Sequence, residues 1–199
     1  MLAFIEFLDS RLSLSPATKK MLMDSIEVKY YKAHSFLRQK GDFSDKIFFI
    51  RKGLVHLYRT KEKTDWLSCE NEVICPYNRF LMQQPSSVYY ETLEPTEVQT
   101  INYSAYLKLL EISEFRDVIN QVVIERLYRV NKFLLEISCS AVGRYHVFVN
   151  HFPSLSNRVQ ANIMASFLGL CPKTISRVKN GDKAKLVSME TKVLGVVNE

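Results

Sequence analysis

Between Val159 and Asn180 the chain reads VQANIMASFLGLCPKTISRVKN, and the break inside that stretch limits what it can fold into. Ile163, Met164, Phe167 and Leu168 recur at helical spacing, Gly169 interrupts them, and Ile175 and Val178 resume the pattern after Pro172. The spacing predicts two short helices joined by a tight turn. Such a turn needs a small residue where the backbones approach and a residue tolerant of positive φ at the corner, and Ala165 and Gly169 meet those needs. Pro172 suits the first position of the second helix, and Asn180-Gly181 suits a left-handed stop. With Ile175 and Val178 turned inward, the outward face carries Lys173, Thr174, Ser176, Arg177 and Lys179. A strip of donors over a buried apolar edge is what a helix lying in a major groove requires.

Charge is distributed in the same sense. Of the 199 residues, 1–139 carry 19 Lys or Arg against 18 Asp or Glu, whereas 140–199 carry 8 against 3. The excess of +6 is therefore +1 in the first segment and +5 in the last, where the helix pair lies. A basic surplus placed there fits contact with a phosphate backbone; by itself it fits a solvated basic face equally well.

The four cysteines, Cys69, Cys75, Cys139 and Cys171, lack both the close pairing of a metal site and the density of a disulfide scaffold. Free thiols in a reducing compartment are expected, with no metal and no cofactor. The opening MLAFIEFLDSRL is interrupted by Glu6 and Asp9, which predicts an amphipathic helix rather than a signal peptide or membrane span, and a cytoplasmic protein.

From Val28 to Tyr103, short β-favouring runs such as KIFFIRKG and GLVHLYR alternate with turns at Lys40-Gly41-Asp42 and Lys52-Gly53. This predicts a β-roll or jelly roll. The pattern then becomes helical: Phe115, Ile119, Val123, Leu127, Val130, Leu134 and Ile137 advance by fours and threes. So long a stripe either lies on the β-domain or forms a coiled-coil-like seam between two subunits. A further helix from about Ala141 to Asn150 leads into the helix pair.

In this order the elements resemble the catabolite-activator and fumarate-nitrate-regulator (Crp/Fnr) family of bacterial transcription factors. The resemblance rests on FLRQKGDFSDKIFFIRKGLVHLY (36–58), similar to the family's opening strands, and LEPTEVQTINYSAYLKLL (93–110), similar to its last strand and short helix. The long helix falls where the family has its dimerisation helix, and Asn162 to Val178 fits the helix-turn-helix pattern without a gap. The resemblance implies an α+β chain: a cyclic-nucleotide-binding-like double-stranded β-helix (1–112), a dimerisation helix (113–139) and a DNA-binding domain (140–199). It implies a homodimer on a pseudo-palindromic DNA operator, contacted by Lys173, Thr174, Ser176, Arg177, Lys179 and Arg158.

Two departures matter. In the stretch VICPYNRFLMQQPSSVYYETL the family's cyclic-phosphate cassette would place Gly and Glu at Cys75 and Pro76, and Arg at Ser86, with only Ser87 kept. Pro76 has no N–H and Ser86 no charge, so cyclic AMP and cyclic GMP are not expected to bind in the usual way. Arg79 lies near and either meets a different anion or is a surface arginine. The effector, if there is one, is not identified. The β-wing is also expected to be reduced or absent, because HFPSLSNRVQ has no hairpin signal; Lys183 and Lys185 then join the candidate phosphate contacts.

An enzyme is disfavoured: His34 and His56 are isolated, His146 and His151 fall in the helical part, and no phosphate loop or nucleophile motif occurs. The remaining alternative is a ligand-binding or protein-interaction module whose helix pair is purely structural. Against it, residues 172–180 hold three basic side chains and no acidic one.

Overall fold

The structure is a computed structural model and describes residues 2–138 and 140–181. Cys139, Lys183, Lys185 and the final apolar run lie outside the described residues. The chain divides into two compact units between Val130 and Asn131.

In the first unit, α1 (Ala3–Asp9) and α2 (Pro16–Ser25) precede eight strands: β1 (Ile26–Tyr31), β2 (Phe36–Arg38), β3 (Lys46–Lys52), β4 (Val55–Thr60), β5 (Lys63–Ser68), β6 (Glu72–Ile74), β7 (Tyr89–Thr92) and β8 (Thr96–Asn102). A short α3 (Tyr77–Leu81) lies between β6 and β7, and α4 (Tyr103–Leu109) follows β8. The strands form two four-stranded sheets, β1-β8-β3-β6 and β2-β7-β4-β5, with antiparallel pairing throughout. Neither sheet closes on itself.

Strand β3 shows why the run Ile47-Phe48-Phe49-Ile50 carries no polar alternation. Phe48 and Ile50 pack with Val55, Leu57, Ile74, Tyr90 and Val98 in a core contributed by both sheets. Ile47 and Phe49 point the other way, into a second core with Phe4, Ile5 and Leu8 of α1, Leu22 of α2 and Tyr106 of α4. A strand covered on both faces is apolar at every position. Phe49 stacks on Phe4 with ring centres 4.8 Å apart, which fixes α1 to the sheet.

The predicted turns are present, with positive φ at Gly41 (96°) and Gly53 (114°). At Gly53 a Cβ would lie 2.3 Å from Thr96 Oγ1 and 2.8 Å from Thr96 Cα, so both dihedral and space demand glycine. Helix starts are capped where the sequence offers an acceptor: Ser15 for α2, with Pro16 at its first turn, and Asn102 for α4.

Helix α5 (Ser113–Glu136) starts in the first unit and ends in the second. Its stripe serves more than one purpose. Phe115, Val118, Ile119 and Val122 are buried in the helix-side core, so the first turns do lie on the β-domain. Leu127 and Leu134 on the predicted seam are instead 60% and 53% exposed, and Ile124, Tyr128 and Leu135 beside them are exposed too. The seam from residue 115 predicted by spacing is thus buried at its start and open only further along.

The second unit contains the end of α5, α6 (Ala141–His151, capped by Ser140), α7 (Ala161–Leu168) and a helix over 172–181, here α8. Its core is aromatic. Phe133 stacks on Phe167 at 5.3 Å, and Phe148 and Phe152 meet them edge-on. Leu155, Val159, Met164, Ala165, Leu168, Ile175 and Val178 are buried as well.

Candidate nucleic-acid interface

The turn between α7 and α8 occupies 169–171 and has the geometry its residues call for. Gly169 is left-handed (φ 63°, ψ 39°), and the Leu170 N–H donates to the Ala165 carbonyl at 2.8 Å. Gly169 N–H reaches the Ser166 carbonyl, which completes a Schellman closure. Arg144 of α6 donates from Nη1 to the Leu168 carbonyl at 3.2 Å, a cation on the negative end of α7. Ala165 is buried at the approach, as its size predicts.

Helix α8 opens at Cys171-Pro172, where the Cys171 carbonyl accepts from the N–H groups of Thr174 and Ile175. Thr174 Oγ1 lies 3.0 Å from Cys171 Sγ. That hydroxyl first, and then backbone N–H groups of the same turn, hold the exposed Cys171 thiol below the usual thiol range. Composition alone marked Cys171 only as a free thiol; its place at a helix start was readable from Pro172.

Ile175 and Val178 are buried, and Lys173, Ser176 and Arg177 are exposed on the opposite face. The side chains of Lys173 and Arg177 form no hydrogen bond or ion pair with other described residues. Two residues expected on that outward face, Thr174 and Lys179, are only half-exposed, as is Arg158. Thr174 is half-buried and turned to Cys171. Lys179 is half-buried and donates to the Ser156 carbonyl, so its ammonium ties α8 to the preceding loop instead of standing free on the outer face. Arg158 is half-buried in that same loop. The stop expected at Asn180-Gly181 is not seen either, because α8 runs on through Gly181. Lys173, Ser176 and Arg177 thus share one open face, while Lys179 is tied to the loop that leads into α7, the loop that also carries Arg158.

The segment compared with the cyclic-phosphate cassette is closed up by its own hydrogen bonds. Ser86 is buried and its Oγ donates to the Val88 carbonyl at 2.7 Å. Arg79 Nη1 donates to the Pro85 carbonyl at 2.8 Å, which bends the arginine back onto its own loop. Burial pushes the Cys75 thiol well above the usual range, so it is a neutral packing group. His56 is buried and bonded to Thr64 Oγ1 at 2.8 Å, and desolvation lowers it to about 4. Among the described residues no group of His, Cys, Asp and Glu is arranged to hold a metal, and no helix is long and apolar enough to cross a membrane.

No protein-family model matches the sequence, and no curated protein matches it. Solved structures do. FixK2 from Bradyrhizobium japonicum aligns with a TM-score of 0.67 at 15% identity, over 80% of this chain and 85% of that one. A protein of Eubacterium rectale described as a transcriptional regulator of the Crp/Fnr family gives 0.66 at 15%, over 90% and 88%. The c-di-GMP responsive global regulator CLP of Xanthomonas campestris gives 0.63 at 15%, over 86% and 93%. Two of these neighbours are described as regulators, CLP of virulence gene expression and the Eubacterium rectale protein of transcription. Over most of its length the chain has the fold of the Crp/Fnr transcriptional regulators.

Proposed function

We propose that the chain is a homodimeric DNA-binding transcription regulator, with α7 and α8 as its helix-turn-helix and α8 as the recognition helix. The observation that carries this reading is the open face of α8: Lys173, Ser176 and Arg177 lie exposed over buried Ile175 and Val178, on a chain whose fold is that of transcription regulators. An arginine fork meets O6 and N7 of guanine, so Arg177 reads a base while Lys173 and Ser176 set the helix against phosphates. Lys179 and Thr174 act indirectly, by holding α8 in place, and Arg158 adds charge beside it.

Residues 1–112 serve as the sensor, 113–139 as the pairing helix and 140–199 as the DNA-binding domain. The exposed apolar residues Leu127 and Leu134 support pairing through the later turns of α5. Two recognition helices then meet successive major-groove faces of a pseudo-palindromic site about 34 Å apart. A cytoplasmic location goes with this role. With the cassette closed on itself, cyclic AMP and cyclic GMP are not ligands, and calorimetric titration with either gives no binding at micromolar concentration. Selection of bound DNA from a random pool tests the reading as a whole. Enrichment of a two-fold symmetric motif with half-sites one helical turn apart is expected; failure to enrich any motif returns the chain to the interaction-module alternative.

A further inference from the structure

The first unit holds a cavity of about 250 Å³ between α1, the turn leading into β6, and α5, too large for a single ordered water. Its wall is unusual in chemistry. Three arginines line it, Arg11 from the turn after α1 and Arg126 and Arg129 from α5, against one lining carboxylate, Glu125. Phe7 and the β5–β6 turn residue Asn71 complete the parts that matter here.

None of the three arginines is used up. Arg11 donates from Nε to Glu125 at 2.8 Å and from Nη1 to the Phe7 carbonyl at 2.8 Å, with its guanidinium 3.7 Å over the Phe7 ring. Arg126 and Arg129 share the buried carboxylate of Glu72 at 3.5 and 3.2 Å, each through a single Nη1. A guanidinium offers about five N–H donors, so most remain for a further acceptor. Glu125 is itself divided between Arg11 and Gln121. The cavity therefore carries a surplus of positive charge, partly screened from water by Phe7, Val73 and Val122.

We infer that this cavity is a binding site for a small organic anion, one bearing carboxylate or phosphoryl oxygens that a set of guanidinium forks can hold together. It is a different place from the closed cassette around Ser86 and Arg79. An occupant would join Arg11, just beyond α1, to Arg126 and Arg129 on α5, one turn or less from Leu127. Its role as an effector rests on the proposed pairing of α5; its binding does not.

Calorimetry on the full chain in low-salt buffer, titrating inorganic phosphate, succinate and citrate separately, tests binding without DNA or dimerisation entering the readout. At least one should bind with a Kd below about 1 mM. Arg129→Gln, whose side chain is half-exposed, should weaken that binding about tenfold or more, and Arg11→Gln should do the same. Arg51→Gln, remote in sequence and absent from the cavity wall, should leave it unchanged. Binding of phosphate alone or of the carboxylates alone supports the site and assigns its chemistry. No saturable heat with any of the three, or equal binding by the Arg129→Gln, Arg11→Gln and Arg51→Gln variants, overturns it.

Discussion

Arg144 and Gly169 sit against each other: the guanidinium that donates to the Leu168 carbonyl lies 3.4 Å from where a Cβ on residue 169 would stand. Gly169→Ala therefore meets a left-handed backbone and a crowded cap together. It should lower stability by about 1 to 2 kcal/mol, read from urea unfolding followed by circular dichroism. Arg144→Met should cost about 1 kcal/mol by leaving the α7 terminus without its cation. If the alanine variant unfolds at the wild-type midpoint, the turn is not held in this conformation.

Gly53 is the more severe case, because the obstruction includes backbone. A methyl group there would be 2.8 Å from Thr96 Cα, which no change of the threonine side chain relieves. Gly53→Ala should cost about 2 to 4 kcal/mol, and adding Thr96→Ala, which removes the hydroxyl, should not restore it. Thermal unfolding of the single and double variants separates backbone from side-chain crowding.

The buried His56 ring makes stability depend on pH in a definite window. Its folded value, about 4, lies below the ordinary 6.5 because desolvation penalises the imidazolium, with Glu91 and Asp65 opposing weakly. The unfolded chain thus binds the proton first. Stability is full above about pH 6.5 and falls as pH drops toward 4, by roughly 3 kcal/mol in all. Asp9 and Glu114 are both held below their ordinary values, Asp9 mainly by its hydrogen bond from Lys19 and Glu114 by that from Thr18. Their contribution is lost only at lower pH, as they protonate. Between pH 6.5 and 5, then, His56 adds to the slope, and urea midpoints of His56→Gln should vary less with pH there than those of the parent chain.

On DNA, the two exposed cations of α8 should behave differently. Arg177→Ala should weaken binding by about 1 to 3 kcal/mol and relax preference at one position of each half-site. Lys173→Ala should weaken all sequences alike and reduce the salt slope by about 1. Fluorescence anisotropy on a matched and a half-site-substituted duplex at several salt concentrations distinguishes them. Equal loss on both duplexes for Arg177→Ala would make it a phosphate anchor.

Pairing through α5 predicts that Leu127→Glu combined with Leu134→Glu gives a monomer with an unchanged circular dichroism spectrum, since both side chains are exposed in the chain itself. Light scattering after size exclusion reads the mass. A dimer that survives both substitutions places the contact elsewhere.

What could be read from the sequence follows from how local each cause is. The turn at Gly169 was legible because its closure lies within six residues, from Ala165 to Leu170. The strand at Ile47 to Ile50 was legible from composition, although that it carries two cores was not. Spacing on α5 gave the helix but not its division of labour, because periodicity records which residues share a face and not what covers that face. Phe133, outside the predicted stripe, proved to be buried in the aromatic core of the second unit. Spacing alone puts Lys179 on the outer face, because its partner, the Ser156 carbonyl, lies 23 residues earlier in the chain. The guanidinium-lined cavity was invisible for the same reason: Arg11 and Glu125 are 114 residues apart, and Glu72 and Arg129 are 57.

The sheet β1-β8-β3-β6 works as a diaphragm. Its central residues alternate between two close-packed chambers, one shared with the other sheet and one with the helices, so neither chamber can be reshaped alone. Packed interiors are stiff and pass displacement on instead of absorbing it. Tyr90 and Leu57 on one side, and Phe4 and the first turns of α5 on the other, therefore depend on adjacent residues of a single strand, Phe48 and Phe49, so one substitution in β3 disturbs the packing of both.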